Sequence, residues 1–184
     1  MQRICLLVTL FLCIFASSVA FAEHPRVEPP DPGKEHQIKA AMLYKITWFV
    51  RWKSSDFVDE ASSINLCVLD PDPFGAILNE MVEGRLFGKY KRSITIRRID
   101  HYNEHQSLDG CHVFFMPKDS LSPIPTRQGL LVITEDRPVE SSQAHINFVT
   151  DNGHVVFEVN RKNLKASQVR LSSKLLKLAR VVRD

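Results

Sequence analysis

The sequence predicts an α/β fold: a mixed, mostly parallel sheet with helices on both faces, completed by a C-terminal β-hairpin. Three observations predict it. Apolar runs of strand length recur at residues 64–69, 111–116 and 130–134, too continuous for strands with one wet face. Helical or long polar connections separate these runs, as parallel pairing requires. The pattern then changes: "HINFV" and "HVVFEVN" stand on either side of Asp151-Asn152-Gly153, and Asn-Gly supplies the positive backbone angles of a tight reversal.

Taken in order, the chain opens with Arg3, an apolar run over 4–16, and then Ala20-Phe21-Ala22. This is the pattern of a secretory signal peptide over 1–22, cleaved after Ala22, and it implies export to the periplasm. Residues 23–35 hold four of the ten prolines and show no apolar period, so they read as a flexible or extended leader. A single domain is expected over 36–184. Ile38, Met42, Leu43, Ile46, Phe49 and Val50 follow helical spacing over 36–52, with Glu35 before the helix and Arg51 and Lys53 at its end, matching its dipole. The strand 64–69 is followed by a short helix over 73–81, a turn bracketed by Gly84 and Gly88, and an alternating strand over 93–99. The apolar strand 111–116 leads through a proline-rich turn at Pro123 and Pro125 to the strand 130–134, and then to the hairpin. Asn160 can cap a short helix through Ala166. Ser172-Ser173 can cap another that carries Leu175, Leu178, Ala179 and Val182 on one stripe.

Of the 184 residues, 162 remain after the signal, enough for one domain with a proper core. Only Arg3 among the charged residues is lost, so Lys+Arg falls from 24 to 23 against 21 acids, a net charge of +2. That balance argues against nucleic acid as a partner, which needs a concentrated basic face. Cys5 and Cys13 leave with the signal, and Cys67 and Cys111 remain. Two cysteines in an oxidising compartment point to one disulfide, with a pair of buried thiols as the alternative.

The chemistry-bearing motifs have plain structural readings beside the functional ones. Asp70, Asp72 and Asp136 would gather at the carboxyl edge of the sheet, where a metal site needs several carboxylates close together. Yet Asp70 and Asp72 each precede a proline, and an acid near a first helical turn suits its dipole, so the expected role is architectural. His101-Tyr102-Asn103-Glu104-His105 matches an H-x-x-E-H zinc pattern, but in a polar connection between strands. No glycine-flanked serine and no phosphate-cradling glycine loop are present. His112, His145 and His154 fall at strands or strand starts, where a satisfied core or edge histidine is the expectation. Lys174, Lys177, Arg180 and Arg183 recur every third residue opposite the leucines of the last helix, a solvated face or a contact for an acidic surface.

The ordered segments "KAAMLYKITWFVRW", "CVLDPDPFG", "CHVFFM", "LLVITED", "INFV", "VVFEVN" and "RLSSKLLKLARVV" resemble the YfiR family of periplasmic regulators across residues 36–182. The resemblance implies an α/β fold, a tendency to homodimerise and no catalytic site. It also implies a partner, the periplasmic part of an inner-membrane diguanylate cyclase or related sensor. Members repress such enzymes, limiting cyclic di-GMP and biofilm growth, and touch the membrane only through the partner. Cys67 and Cys111 fall where the family commonly places a cysteine pair; the second pair of some members is absent. Gln143 and Ala144 stand where members often have glycines.

The expectation is a non-enzymatic regulatory protein that holds no cofactor or metal. The residues expected to face a partner are Phe148 and Phe157 on the hairpin and Lys174, Lys177 and Arg180 on the last helix. Two other readings are weighed beside it: a small-molecule-binding accessory protein using Asp70 and Phe74, and a zinc hydrolase using His101 and His105.

Overall fold

The computed structural model describes residues 32–138, 140 and 142–184. The signal peptide and residues 23–31 of the leader lie outside the described residues. Helix α1 (Pro32–Trp48) starts four residues before the expected position and ends four before it, with Glu35 in its first turn. β1 (Val50–Arg51) follows, then a single 3-10 turn at Ser54–Asp56, β2 (Ile64–Leu69), α2 (Ala76–Val82), β3 (Leu86–Phe87) and β4 (Arg92–Ile99). The second half runs β5 (Val113–Met116), β6 (Leu131–Glu135), β7 (Ile146–Asp151), β8 (His154–Asn160), α3 (Arg161–Ser167), β9 (Arg170–Leu171), α4 (Ser173–Leu176) and β10 (Val181–Arg183).

Eight strands form one sheet in the order β10-β8-β7-β6-β5-β2-β4-β3, and β1 pairs with β9 in a small antiparallel ladder. Five of the seven ladders in the large sheet are parallel; β7–β8 and β3–β4 are antiparallel. The mixed, mostly parallel sheet and the hairpin are therefore as the sequence predicts. Asn152 and Gly153 hold φ of 48° and 77°, the pair of left-handed angles a two-residue reversal demands.

Alternation along the central strands divides the core in two. Leu66, Val68, Val113, Phe115, Leu131 and Ile133 face Leu43, Tyr44 and Ile46 of α1, Leu78 of α2, Leu164 of α3 and Leu175 of α4. Cys67, Leu69, Phe114, Met116 and Val132 face the other way, onto Leu108, Cys111, Leu130, Tyr102 and Ile124. The buried side chains of all four helices thus belong to one face, and loops cover the second, where helices were expected as well. The segment 100–112 is too polar, and the segment 117–130 too proline-rich, to make helices, but each supplies apolar anchors. One anchor is covalent: Cys67 of β2 is bonded to Cys111, with Cα atoms 5.9 Å apart. The bridge spans a sequence separation of 44, and closing such a loop is worth about 4 kcal/mol in the chain-entropy account.

The last predicted helix is cut short. Ser172 caps as expected, accepting from the Leu175 N–H, but the helix stops after one turn at Leu176. Val181–Arg183 instead joins the free edge of β8 in parallel, Val181 opposite Glu158. The unpaired edge of β8 offers these residues a full row of backbone hydrogen bonds, which outweighs a helical pattern of only two turns.

Candidate binding surface

A cleft of about 570 Å³ opens at the amino edge of the sheet, where β2 and β4 begin. Its walls come from the end of α1, β1 and the 3-10 turn on one side, and from the β3–β4 connection on the other. Trp48, 49% exposed, lies on Phe87 at 4.5 Å between ring centres, with Tyr44 packed edge-on beneath both. Phe57 stacks on His112 at 4.4 Å, and Trp52 meets both edge-on. The buried indole Nε1 of Trp52 has no hydrogen-bond acceptor among the described residues. Tyr90 and Leu86 stay 42% and 53% exposed at the rim.

Every charged side chain lining this cleft is a cation: Arg51, Lys53, Lys89 and Arg92. Arg92 is structural. It is buried, lies 3.7 Å from the Phe57 ring centre, and donates to the Asp59 and Ser62 carbonyls, so it fastens the loop between β1 and β2. Lys53 donates to Gln168. None of the four is within 4 Å of a carboxylate among the described residues. A neighbouring hollow shares Trp48 and Arg51 and adds Arg170 and Lys174, which continues the basic, aromatic surface towards α4.

The residues expected to meet a partner separate. Phe148 and Phe157 are buried in the helix-side core, 0% and 6% exposed, so the hairpin presents neither ring to a partner; a strand residue reads the same whichever of its faces is covered. Lys174 and Lys177 are exposed, but not as a helical strip, because α4 is one turn long. The Arg180 guanidinium is committed to Asp151 at 2.9 Å and to Glu158. The sequence reading missed Trp48 and Tyr90. Trp48 was available as a residue off the apolar stripe of α1; no local pattern marks Tyr90.

The carboxyl edge is built differently. Asp72 accepts from the Phe74 N–H and pairs with Arg98 at 2.8 Å, holding the turn into α2; Asp70 is exposed, and its peptide bond to Pro71 is cis. Phe74 is core, packed on Phe115 at 4.8 Å, so the small-molecule site expected at Asp70 and Phe74 lacks its apolar wall. Asp136 pairs with Lys118 at 3.3 Å. Lys39 of α1, 2% exposed, reaches Glu135 at the end of β6 and Glu35 in its own helix. Burial would push its pKa down, but the hydrogen bonds that Lys39 donates to Glu135 and Glu35 outweigh that, and Lys39 is held above its ordinary value. Glu35 is held below the usual carboxylate range by the Lys39 and Thr150 hydrogen bonds.

His101 and His105 are exposed in a turn organised by Asn103, whose side chain accepts from the His105 N–H, rather than on the helix that the zinc pattern needs. Among the described residues no three His, Cys, Asp or Glu side chains are grouped so as to hold a metal ion. His112 and His145 are satisfied edge residues. Nδ1 of His112 accepts from the Asn65 N–H at 3.0 Å, and Nδ1 of His145 from the Val132 N–H at 2.8 Å. Burial pushes His112 down, and pushes His145 down to about 4. Among the described residues no helix is long and apolar enough to cross a membrane.

Residues 36–180 match the family model described as YfiR/HmsC-like, well over half of the chain, and the chain belongs to that family. No curated protein matches the sequence.

Proposed function

We propose that this YfiR/HmsC-like chain is a periplasmic regulator that binds the periplasmic region of an inner-membrane diguanylate cyclase, or a related sensor, and lowers its cyclic di-GMP output. The observation that carries the reading is the cleft at the amino edge. It joins half-exposed aromatic rings to cations without carboxylate partners among the described residues, and Trp, Tyr and Arg are the residue types that dominate binding energy at protein interfaces. The occupant is a partner segment with an aromatic or aliphatic side chain flanked by acids. Trp48 and Tyr90 would anchor the apolar group, while Arg51 and Lys89, with Lys174 on the flank, would steer and align the acids. Phe148 and Phe157 have no place in this surface, and Arg180 is committed to Asp151 and Glu158 of the hairpin.

Repression then follows from unequal affinity. A bound regulator shifts its partner only by the difference in its binding energy for the two states, and about 5.5 kcal/mol moves a two-state partner from almost wholly on to almost wholly off. No proton transfer or covalent step is involved. The reading includes a homodimer in solution, checked by sedimentation equilibrium of the mature chain.

The test is a deletion strain complemented with the wild type or with Arg51→Glu combined with Lys89→Glu, both exposed positions. Deletion is expected to raise cyclic di-GMP, the wild type to restore it, and the variant to fold yet fail to restore it. Unchanged cyclic di-GMP on deletion overturns the regulatory reading. Full restoration by the variant moves the binding face away from the cleft.

A further inference from the structure

The main sheet ends at one side on β10, three residues long, and at the other on β3, which covers only Arg92 and Ser93 of the eight-residue β4. From Ile94 to Ile99, about 20 Å of strand, β4 pairs in parallel with β2 on one side and with no strand among the described residues on the other. In a parallel ladder alternate residues turn both main-chain groups to the same neighbour. The Ile99 carbonyl accepts from the Asp70 N–H at 2.9 Å, so Ile99, Arg97 and Thr95 turn to β2. Ile96 and Arg98 turn their N–H and carbonyl groups outward.

A free edge is ordinarily blunted by a proline, a bulge, a covering segment or a charge held over it. Residues 85–99 contain no proline, and the β2–β4 ladder runs without a bulge from Ile94 to Ile99. Thr95, Arg97 and Arg98 are exposed, so no described segment buries this part of the strand. Both arginines are drawn away from the edge. Arg97 reaches back across β2 to donate to the Asp109 carbonyl at 3.0 Å, and Arg98 is spent on Asp72, the Gly75 carbonyl and Asn79. The outward main-chain groups are left open to a partner.

The charge of this stretch is of one sign: residues 85–99 carry six lysines and arginines and no acid. Among the described residues only Arg98 of the six has a carboxylate within 4 Å. A second copy paired through the same edge would set this stretch against itself, like charge beside like charge. An acidic strand meets it with opposite charge.

We propose that the outer edge of β4 docks an extended, acidic segment of a partner protein, which adds a strand alongside Ile94–Ile99. Its acids lie on the side of Thr95 and Arg97, and its aliphatic side chains on the side of the half-buried Ile96. Main-chain hydrogen bonds to Ile96 and Arg98 supply affinity, and the charges select the partner. Residues 94–99 do not line the cleft, so this contact holds whether or not a partner also enters it.

The test is an NMR titration of the isotope-labelled mature chain with a capped heptapeptide of alternating glutamate and valine, and with its lysine counterpart. Expected are saturable shifts along β4 and slower exchange of the Ile96 and Arg98 N–H groups with the glutamate peptide, and no such response to the lysine peptide. Lys91→Glu with Arg97→Glu, both exposed positions, should weaken binding about tenfold or more. Ile96→Pro removes one outward donor and should also weaken it, with folding checked first by melting. Unchanged exchange at Ile96 and Arg98, equal binding of the lysine peptide, or binding unaltered by the double charge reversal each overturn the proposal. Protection of the same two N–H groups that rises with protein concentration alone overturns it in favour of a second copy.

Discussion

At the carboxyl edge of the main sheet, where β2, β4, β5 and β6 end, the charges are paired: Asp72 with Arg98, Asp136 with Lys118, and Glu135 with the buried Lys39. At the amino edge, where the same strands begin, Arg51, Lys53 and Lys89 have no carboxylate partner among the described residues, and two histidines are held neutral. Ligands of open α/β sheets ordinarily sit at the carboxyl edge. Here that edge is closed by its own ion pairs and by a core phenylalanine, and the groups with unspent binding capacity lie at the opposite end. Side chains of similar type do different work at the two ends because of what surrounds them.

The sharpest way to break the carboxyl edge is Lys39→Ala. It leaves Glu135, 6% exposed, without its cation, and removing one partner of a buried pair costs about 3–5 kcal/mol. Urea unfolding of the variant should show that loss; a loss below about 1 kcal/mol would mean that the pair is not the lock described here.

Acid separates the two edges. His145 has a native pKa of about 4 against an ordinary 6.5, so below pH 6.5 the unfolded chain binds a proton that the native state refuses. Stability is complete above pH 6.5 and falls by about 3 kcal/mol as the pH drops towards 4. The Glu35 carboxylate, whose native pKa is lowered, gives stability that is present above its unfolded value and lost only as pH falls below the usual carboxylate range. Denaturation followed from pH 7 to 3 should therefore show the amino edge titrating first. In His145→Gln the slope between pH 6.5 and 4.5 should flatten while the lower-pH loss remains.

Smaller effects sharpen the contrast. Arg98 is 37% exposed, and Arg98→Ala should cost about 1 kcal/mol or less, because Asp72 keeps its bond from the Phe74 N–H. Arg51→Glu with Lys89→Glu, two exposed changes at the amino edge, should leave stability within about 0.5 kcal/mol while abolishing repression. A large stability loss in that variant would make the basic rim architecture rather than interface.

Local signals carried much of the fold. The hairpin was legible because Asn152 and Gly153 must take left-handed angles, and the α3 cap because Asn160 can accept from the Asn163 N–H, as it does at 2.9 Å. The central strands were legible from continuous apolar runs. The final segment was misread because Ser172, Leu175 and Leu178 do make a helical start; only the open edge of β8, more than 20 residues earlier, converts Val181–Arg183 to strand. The facing of Phe148 and Phe157 was misread for a related reason: alternation shows that a strand has two faces, not which neighbour covers each.

The amino-acid sequence by itself determined the α/β class, the reversal at Asn152-Gly153, the helix caps and the two cysteines that could pair, because each depends on backbone preferences or composition within a few residues. Tertiary structure alone decided which face the helices cover, that Lys39 is buried between two glutamates, and that Trp48 and Tyr90 share one cleft. Those outcomes depend on burial and on charges brought together from distant parts of the chain, which no local window contains.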